Sequence, residues 1–212
     1  MGYMELLESM LDLDDTKQRF MNNSMKELKS ISLLVDNIRS IIRLREEPFE
    51  PEKVDLATVL DKAREQALYQ MEGKELTINN DLDKGDVSLE VDRFVVDLFD
   101  QVLQNSLKFD DSEEVVVDVE HEFDEGWTIL GLADHGPGIN DDRKNEVFDR
   151  FNRLVEDGDI HGSGTGLSLV KEIVKRYGGE VWIEDRVRGQ QSSGCRIKMR
   201  LPTDRVDEVK FR

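Results

Sequence analysis

The sequence predicts an α+β fold, a two-layer α/β sandwich in which helices cover one face of a mixed β-sheet, preceded by a long α-helix. Three observations carry this reading. Short segments alternate apolar and polar residues, as in Val115-Val117-Val119, which is the period of a half-buried strand. Between them lie stretches with apolar residues at 3.6-residue spacing, as in Leu169, Val170, Ile173, Val174 and Tyr177. Before both, apolar residues repeat in sevens from Met21 to Ile42.

In chain order, Met4, Leu7 and Leu11 predict a short helix over residues 1–11, too short to be stable alone. Asp15 with Gln18 three residues later resembles a capping box. A helix of roughly 48 Å follows over about residues 16–47, at 1.5 Å per residue. Met21, Leu28, Val35 and Ile42 form one row, Ile31 and Ile38 a second, and Leu34 and Ile41 widen the stripe. A seam this broad suits a four-helix bundle better than a two-stranded coil. Pro48 and Pro51 end the helix and divide the chain into residues 1–50 and 51–212.

In the second part, Asp55 is placed to cap a helix to about Met71. Leu76-Ile78-Asn80 and Val87-Leu89-Val91 alternate as strands. Asp92 is placed to cap the next helix. Asp124-Glu125-Gly126 turns the chain between the strand of Val115–Val119 and the nearly continuous apolar run 127–133, which reads as a central strand. Residues 140–165 are polar and loop-like, broken by Phe148 and Phe151. Strands over about 180–185 and 195–201 follow the last helix, which ends at Gly178.

Composition excludes several classes. Charged residues make up 36% of the 212 and the formal charge is −18, which argues against nucleic acid and anionic membranes as partners. A single cysteine, Cys195, excludes an internal disulfide and a cysteine metal cluster. Neither a signal peptide nor an apolar run near the ~20 residues of a membrane span is present, so the expected location is the cytoplasm.

The candidate functional residues begin with His161-Gly162-Ser163-Gly164-Thr165-Gly166-Leu167. Alternate glycines feeding a helix N-terminus allow close backbone approach to a ligand and favour phosphate. The pattern alone is equally a plain helix entry. No buried strand precedes it, as a dinucleotide loop requires, and no lysine supplies a P-loop. Two further stretches decide the matter: Ala133-Asp134-His135-Gly136-Pro137-Gly138-Ile139, and Gln101–Phe109 with Gln101, Asn105 and Lys108 on one helix face. With Val147-Phe148-Asp149-Arg150-Phe151-Asn152-Arg153, these stand in the order of the N, G1, F and G2 boxes of histidine kinases. Over about residues 50–202 the chain resembles the catalytic ATP-binding domain of that family, a branch of the GHKL ATPases with the Bergerat-type fold.

The resemblance implies ATP and Mg²⁺ as cofactors. It assigns Asp134 to adenine's exocyclic amine, with Gly136, Gly138 and Ile139 turning under the base. It gives Asn105 the metal, and it gives Lys108 the phosphates. Gly162, Gly164, Thr165, Gly166 and Leu167 would wrap the triphosphate, and Arg150 and Arg153 would reach the γ-phosphate. Gln101 departs from the family's usual asparagine, and Ser168 from its more common glycine. The family's partners would be a second copy, through a helical hairpin, and a response regulator receiver domain. The three histidines, His121, His135 and His161, all lack the surroundings of the family's phosphoacceptor, so the expectation is a chain that begins after that residue and does not phosphorylate itself. Two other readings stay open on the residues: a serine kinase of the anti-sigma type on the same fold, and a nonenzymatic nucleotide-gated interaction module.

Overall fold

In the computed structural model, residues 14–71, 73–80, 82–149 and 165–203 are described; the short helix expected over 1–11 lies outside them. Helix α1 spans Asp15–Glu46. Its N-cap is Asp14, whose side chain accepts the Lys17 N–H at 2.9 Å. The cap is therefore one residue earlier than Asp15, which opens the helix instead. The expected apolar stripe divides in two. Leu28, Ile31, Val35, Ile38 and Ile42 are exposed in the single chain, while Asn37, Ile41 and Leu44 are buried. The buried set follows i, i+4, i+7 spacing, one helix face, and that face packs on the rest of the chain.

A small antiparallel pair follows, β1 (Glu52–Asp55) with β3 (Ser88–Val91). The alternation of Val87, Leu89 and Val91 predicted β3 but not its partner, because β1 is four residues long and only Val54 among them is apolar. Between them lie α2 (Leu56–Gln70), capped by Asp55 as expected, and β2 (Glu75–Asn79). Then come α3 (Phe94–Phe109), β4 (Glu114–Asp124), β5 (Trp127–Asp134), the one-turn α4 (Asp141–Lys144), α5 (Gly166–Arg176), β6 (Glu180–Val187) and β7 (Gln190–Pro202). Helix α4 falls in a stretch expected to be loop.

The main sheet has the order β2-β4-β5-β7-β6. β2 runs parallel to β4 and the other pairs are antiparallel, giving a mixed sheet. Register sets its two faces. Leu132 lies opposite Ile197 and Leu130 opposite Met199, and all four are buried with Val115 and Val117 against the helices. The alternate residues of β7 project the other way. There Arg196 meets Glu120 at 3.0 Å and Arg200 meets Asp124 at 3.5 Å. The Arg200 guanidinium also stacks 4.6 Å from the Trp127 ring centroid. Thus one face of the sheet is apolar and covered, and the other is a charged outer surface.

Asp92 stands before α3 as expected: its Oδ1 accepts the N–H of Phe94, the first helical residue, at 3.2 Å, while Arg93 makes no side-chain capping bond. The same carboxylate also accepts Arg176 Nε at 2.7 Å and the Tyr177 hydroxyl at 2.7 Å. Arg176 also donates to the carbonyls of Leu44, Glu47 and Pro48, which close the C-terminal end of α1. A cation among terminal helix carbonyls is favourable in the helix field. Both partners of the ion pair are largely buried, with side-chain exposures of 11% and 7%, so removing one strands the other. Replacing Arg176 with Ala is expected to destabilise the chain by about 3 kcal/mol or more, read as a lower urea midpoint. An unchanged midpoint would contradict this account of the α1 junction.

Candidate functional site

Asp134 ends β5, where the alternation that buries Leu130 and Leu132 turns its carboxylate toward the helix layer. The carboxylate is half-buried and bonded on both oxygens. Oδ1 accepts the N–H of Gly136 at 3.0 Å and the N–H of Cys195 at 3.1 Å. Oδ2 accepts the Cys195 thiol at 2.9 Å. Burial first, and then the adjacent Asp134 carboxylate, push the Cys195 thiol well above its ordinary range, so the sulfur keeps its proton and donates. The alternation of Cys195 with Ile197 and Met199 was the available sign that this cysteine faces inward.

Two glycines make this geometry possible. Gly138 has φ of +74° and Gly194 has φ of +98°, a region that side chains disfavour. A Cβ at Gly194 would lie 2.0 Å from the Asp134 carbonyl oxygen, and one at Gly138 would lie 1.6 Å from that of Gln191. The turn after β5 and the start of β7 therefore press backbone against backbone. Beyond the turn, Ile139 packs on the core. Helix α4 is tied to β6 by Lys144, which meets Asp185 at 2.5 Å. His135 points away from the turn to Asp118, 2.7 Å from Nε2, and has no part in the cluster.

Helix α3 brings Gln101, Asn105 and Lys108 to one side, as their spacing required. The start of α5 lies on that side. A Cβ at Gly166 would sit 2.7 Å from Gln101 Oε1 and 3.8 Å from Asn105 Nδ2, so α5 begins in close contact with these two amides. Asn105 Nδ2 is buried without a hydrogen-bond partner, a polar amide that the protein's own network leaves unused. The Lys108 ammonium lies over the Phe109 ring, 4.5 Å from its centroid. Thr165, which precedes α5, is buried and does not cap the helix with its side chain; its hydroxyl oxygen accepts Asn37 Nδ2 of α1 at 2.8 Å. Ser168 turns its hydroxyl back to the Thr165 carbonyl at 2.8 Å, which keeps it out of the space before α5. Gly162, Gly164, Arg150 and Arg153 lie outside the described residues, as does His161.

Two neighbouring features are separate from this cluster. A cleft of about 710 Å³ lies between residues 137–143 and the β6–β7 turn. It borders the Gly138 turn but is not lined by Asp134, Asn105 or Gly166. On α3, burial raises the Asp100 carboxyl to about 6, in a groove shared with Glu65, Tyr69 and Asp97 and not with Asn105. Among the described residues no group of three or more His, Cys, Asp or Glu is placed to hold a metal ion. The donors beside Gly166 are the amides of Gln101 and Asn105, a set that suits a hard cation held mainly by phosphate oxygens.

Residues 90–205 match the family model described as histidine kinase-, DNA gyrase B- and HSP90-like ATPase. A signal transduction histidine-protein kinase/phosphatase, MprB of Mycolicibacterium smegmatis, is 28% identical over 192 residues, which is 86% of this chain and 36% of that protein. The chain thus spans about a third of that relative's length. The solved structure of a mycobacterial sensor histidine kinase MprB is 27% identical with a TM-score of 0.60, covering 73% of this chain and 98% of that one. A full-length ShkA structure in complex with AMPPNP shares the fold, at 22% identity and a TM-score of 0.58 over 95% of this chain and 42% of that one. The serine-kinase and nonenzymatic readings are not favoured by these likenesses. The chain belongs to the histidine kinase-, DNA gyrase B- and HSP90-like ATPase family, and within it to the catalytic ATP-binding domains of sensor histidine kinases.

Proposed function

We propose that this chain binds Mg-ATP between Asp134, Asn105 and the start of α5, and holds the γ-phosphoryl group for transfer to a histidine on a helical hairpin. The observation that carries the reading is the occupancy of the Asp134 carboxylate. An ionised carboxylate has about four acceptor positions. Three are filled by Gly136 N–H, Cys195 N–H and the Cys195 thiol. The fourth, on Oδ2, suits a single N–H donor, and adenine's exocyclic amine is one. Guanine carries a carbonyl oxygen at that position and would set acceptor against acceptor.

The other groups have matching tasks. The Gly136–Gly138 turn and Ile139 would form the floor under the base. The N–H groups of Gly166 and Leu167 stand at the positive end of α5, where phosphate is favoured. Asn105 would hold Mg²⁺, which when bound neutralises phosphate charge. Lys108 would leave the Phe109 ring for the phosphates, joined by Gly162, Gly164 and Thr165 of the glycine stretch and by Arg150 and Arg153. In phosphoryl transfer such positioning and charge stabilisation are most of what a protein contributes. ShkA, solved with AMPPNP, is a fold relative that takes an ATP analogue.

The exposed row of Leu28, Ile31, Val35, Ile38 and Ile42 would join a second copy in a four-helix bundle, with residues 1–50 as part of the hairpin and 51–212 as the ATP-binding unit. A cytoplasmic response regulator receiver domain would take the phosphoryl group. Among the described residues no helix is long and apolar enough to cross a membrane.

Calorimetric titration with ATP tests the site. Asp134→Ala is expected to lose about 1–3 kcal/mol of binding, about tenfold to a hundredfold in Kd, with the fold intact by circular dichroism. Asn105→Ala is expected to lose affinity mainly when Mg²⁺ is present. Equal affinity of wild type and Asp134→Ala would remove the base-reading role, and an equal loss with and without Mg²⁺ would remove the metal role.

Incubation with γ-labelled ATP tests the chemistry. The chain alone is expected to carry no acid-labile label, since His121 and His135 lie away from the cluster on β4 and at the end of β5. A supplied hairpin bearing an acceptor histidine is expected to become labelled. Acid-labile label on the chain itself, mapped to a histidine, would contradict the assignment.

A further inference from the structure

Helix α5 is held at both ends by α1. At its C-terminal end, Arg176 binds the carbonyls of Leu44, Glu47 and Pro48. Midway, Glu172 lies 3.8 Å from Arg45. Before its N-terminal end, Asn37 Nδ2 donates to Thr165 Oγ1 at 2.8 Å, and both residues are buried, at 3% and 2% exposure. Asn37 is the one polar member of the buried face formed with Ile41 and Leu44. A buried amide is costly unless bonded, whereas apolar contacts such as those of Ile41 and Leu44 tolerate small slides. The Asn37–Thr165 bond therefore fixes one register of α1 against α5. On its other side, the start of α5 rests on Gln101 and Asn105 through Gly166.

We propose that Asn37 is a positioning residue for the phosphate end of the nucleotide site. The inference rests on the nucleotide reading above. With α1 docked, Asn37 holds Thr165, and Thr165 sets where the N–H groups of Gly166 and Leu167 point relative to Asn105. Docking of α1 and binding of nucleotide are then linked. By thermodynamic necessity each strengthens the other by the same factor. Any change that rotates or slides α1, including pairing of its exposed row with another helix, is read at the nucleotide site through this bond. Asn37 touches no ligand; it acts through Thr165.

The test has two readouts on the full chain. In ATP titrations, Asn37→Ala is expected to weaken affinity about three- to tenfold, the size of one net hydrogen bond. Thr165→Ser keeps the hydroxyl and is expected to bind closer to wild type than Thr165→Val. The Asn37→Ala, Thr165→Val double variant is expected to lose no more than the larger single loss. In hydrogen exchange, ATP is expected to slow amide exchange over residues 34–44 of α1 in wild type and to leave it unchanged in Asn37→Ala, a reciprocity that a merely structural asparagine would not produce. If Asn37→Ala fails to fold, Asn37→Ser carries both readouts. Wild type binding ATP with the variants equally tight or tighter, or ATP slowing exchange in α1 of Asn37→Ala as in wild type, would overturn the linkage and leave the nucleotide reading standing. Wild type failing to bind ATP would overturn both.

Discussion

The hydrogen bonds on Asp134 organise the site. A half-buried carboxylate at a strand end is stable only where donors meet it, and here three donors come from two segments distant in sequence. Gly136 follows Asp134 in the turn, and Cys195 reaches it from β7, 61 residues later. That meeting requires β5 and β7 to be sheet neighbours, and it requires no side chain at Gly138 or Gly194, where backbone meets backbone. The adjacency of β5 and β7, the sharp turn after β5 and the inward thiol are thus parts of one arrangement. Its product is a carboxylate held by three donors from the protein itself.

The second organising element is α5. Its apolar face packs into the core through Leu169, Val170, Ile173 and Val174. Its first residues lie on the amide side of α3, and its last turn carries Arg176, which closes the end of α1. One helix of eleven residues therefore touches the Gln101–Asn105 side of α3 and the long N-terminal helix together. The buried ion pair of Arg176 with Asp92 is costly to desolvate, and its worth lies in fixing the exit angle of α1.

Much of this was legible in the sequence, for identifiable reasons. Period-2 and period-3.6 patterns located the main strands and helices because one face of each is buried. Asp134, Asn105 and Gly166 were legible because each sits in a local pattern, a strand end, a helix face and a helix entry. What escaped depends on pairs far apart in the chain. The bond of Asp92 to the start of α3 is local and was legible, whereas its ion pair with Arg176 joins residues 84 apart. β1 escaped because four residues give too little alternation to read. Cys195 and Asn37 escaped because each is one residue in a pattern dominated by others. Asn37 interrupts no heptad row, and only its spacing from Ile41 and Leu44 marks it as inward-facing.

In the proposed complex, Asp134 Oδ2 accepts the exocyclic amine of adenine. The most direct measurement compares the affinity of the chain for ATP with that for N6,N6-dimethyl-ATP, in wild type and in Asp134→Ala. Removing both amine hydrogens is expected to cost wild type about tenfold or more and to cost Asp134→Ala little further, because the two changes delete the same bond. Equal affinity of wild type for the two nucleotides, or an undiminished loss in the variant, would contradict the account.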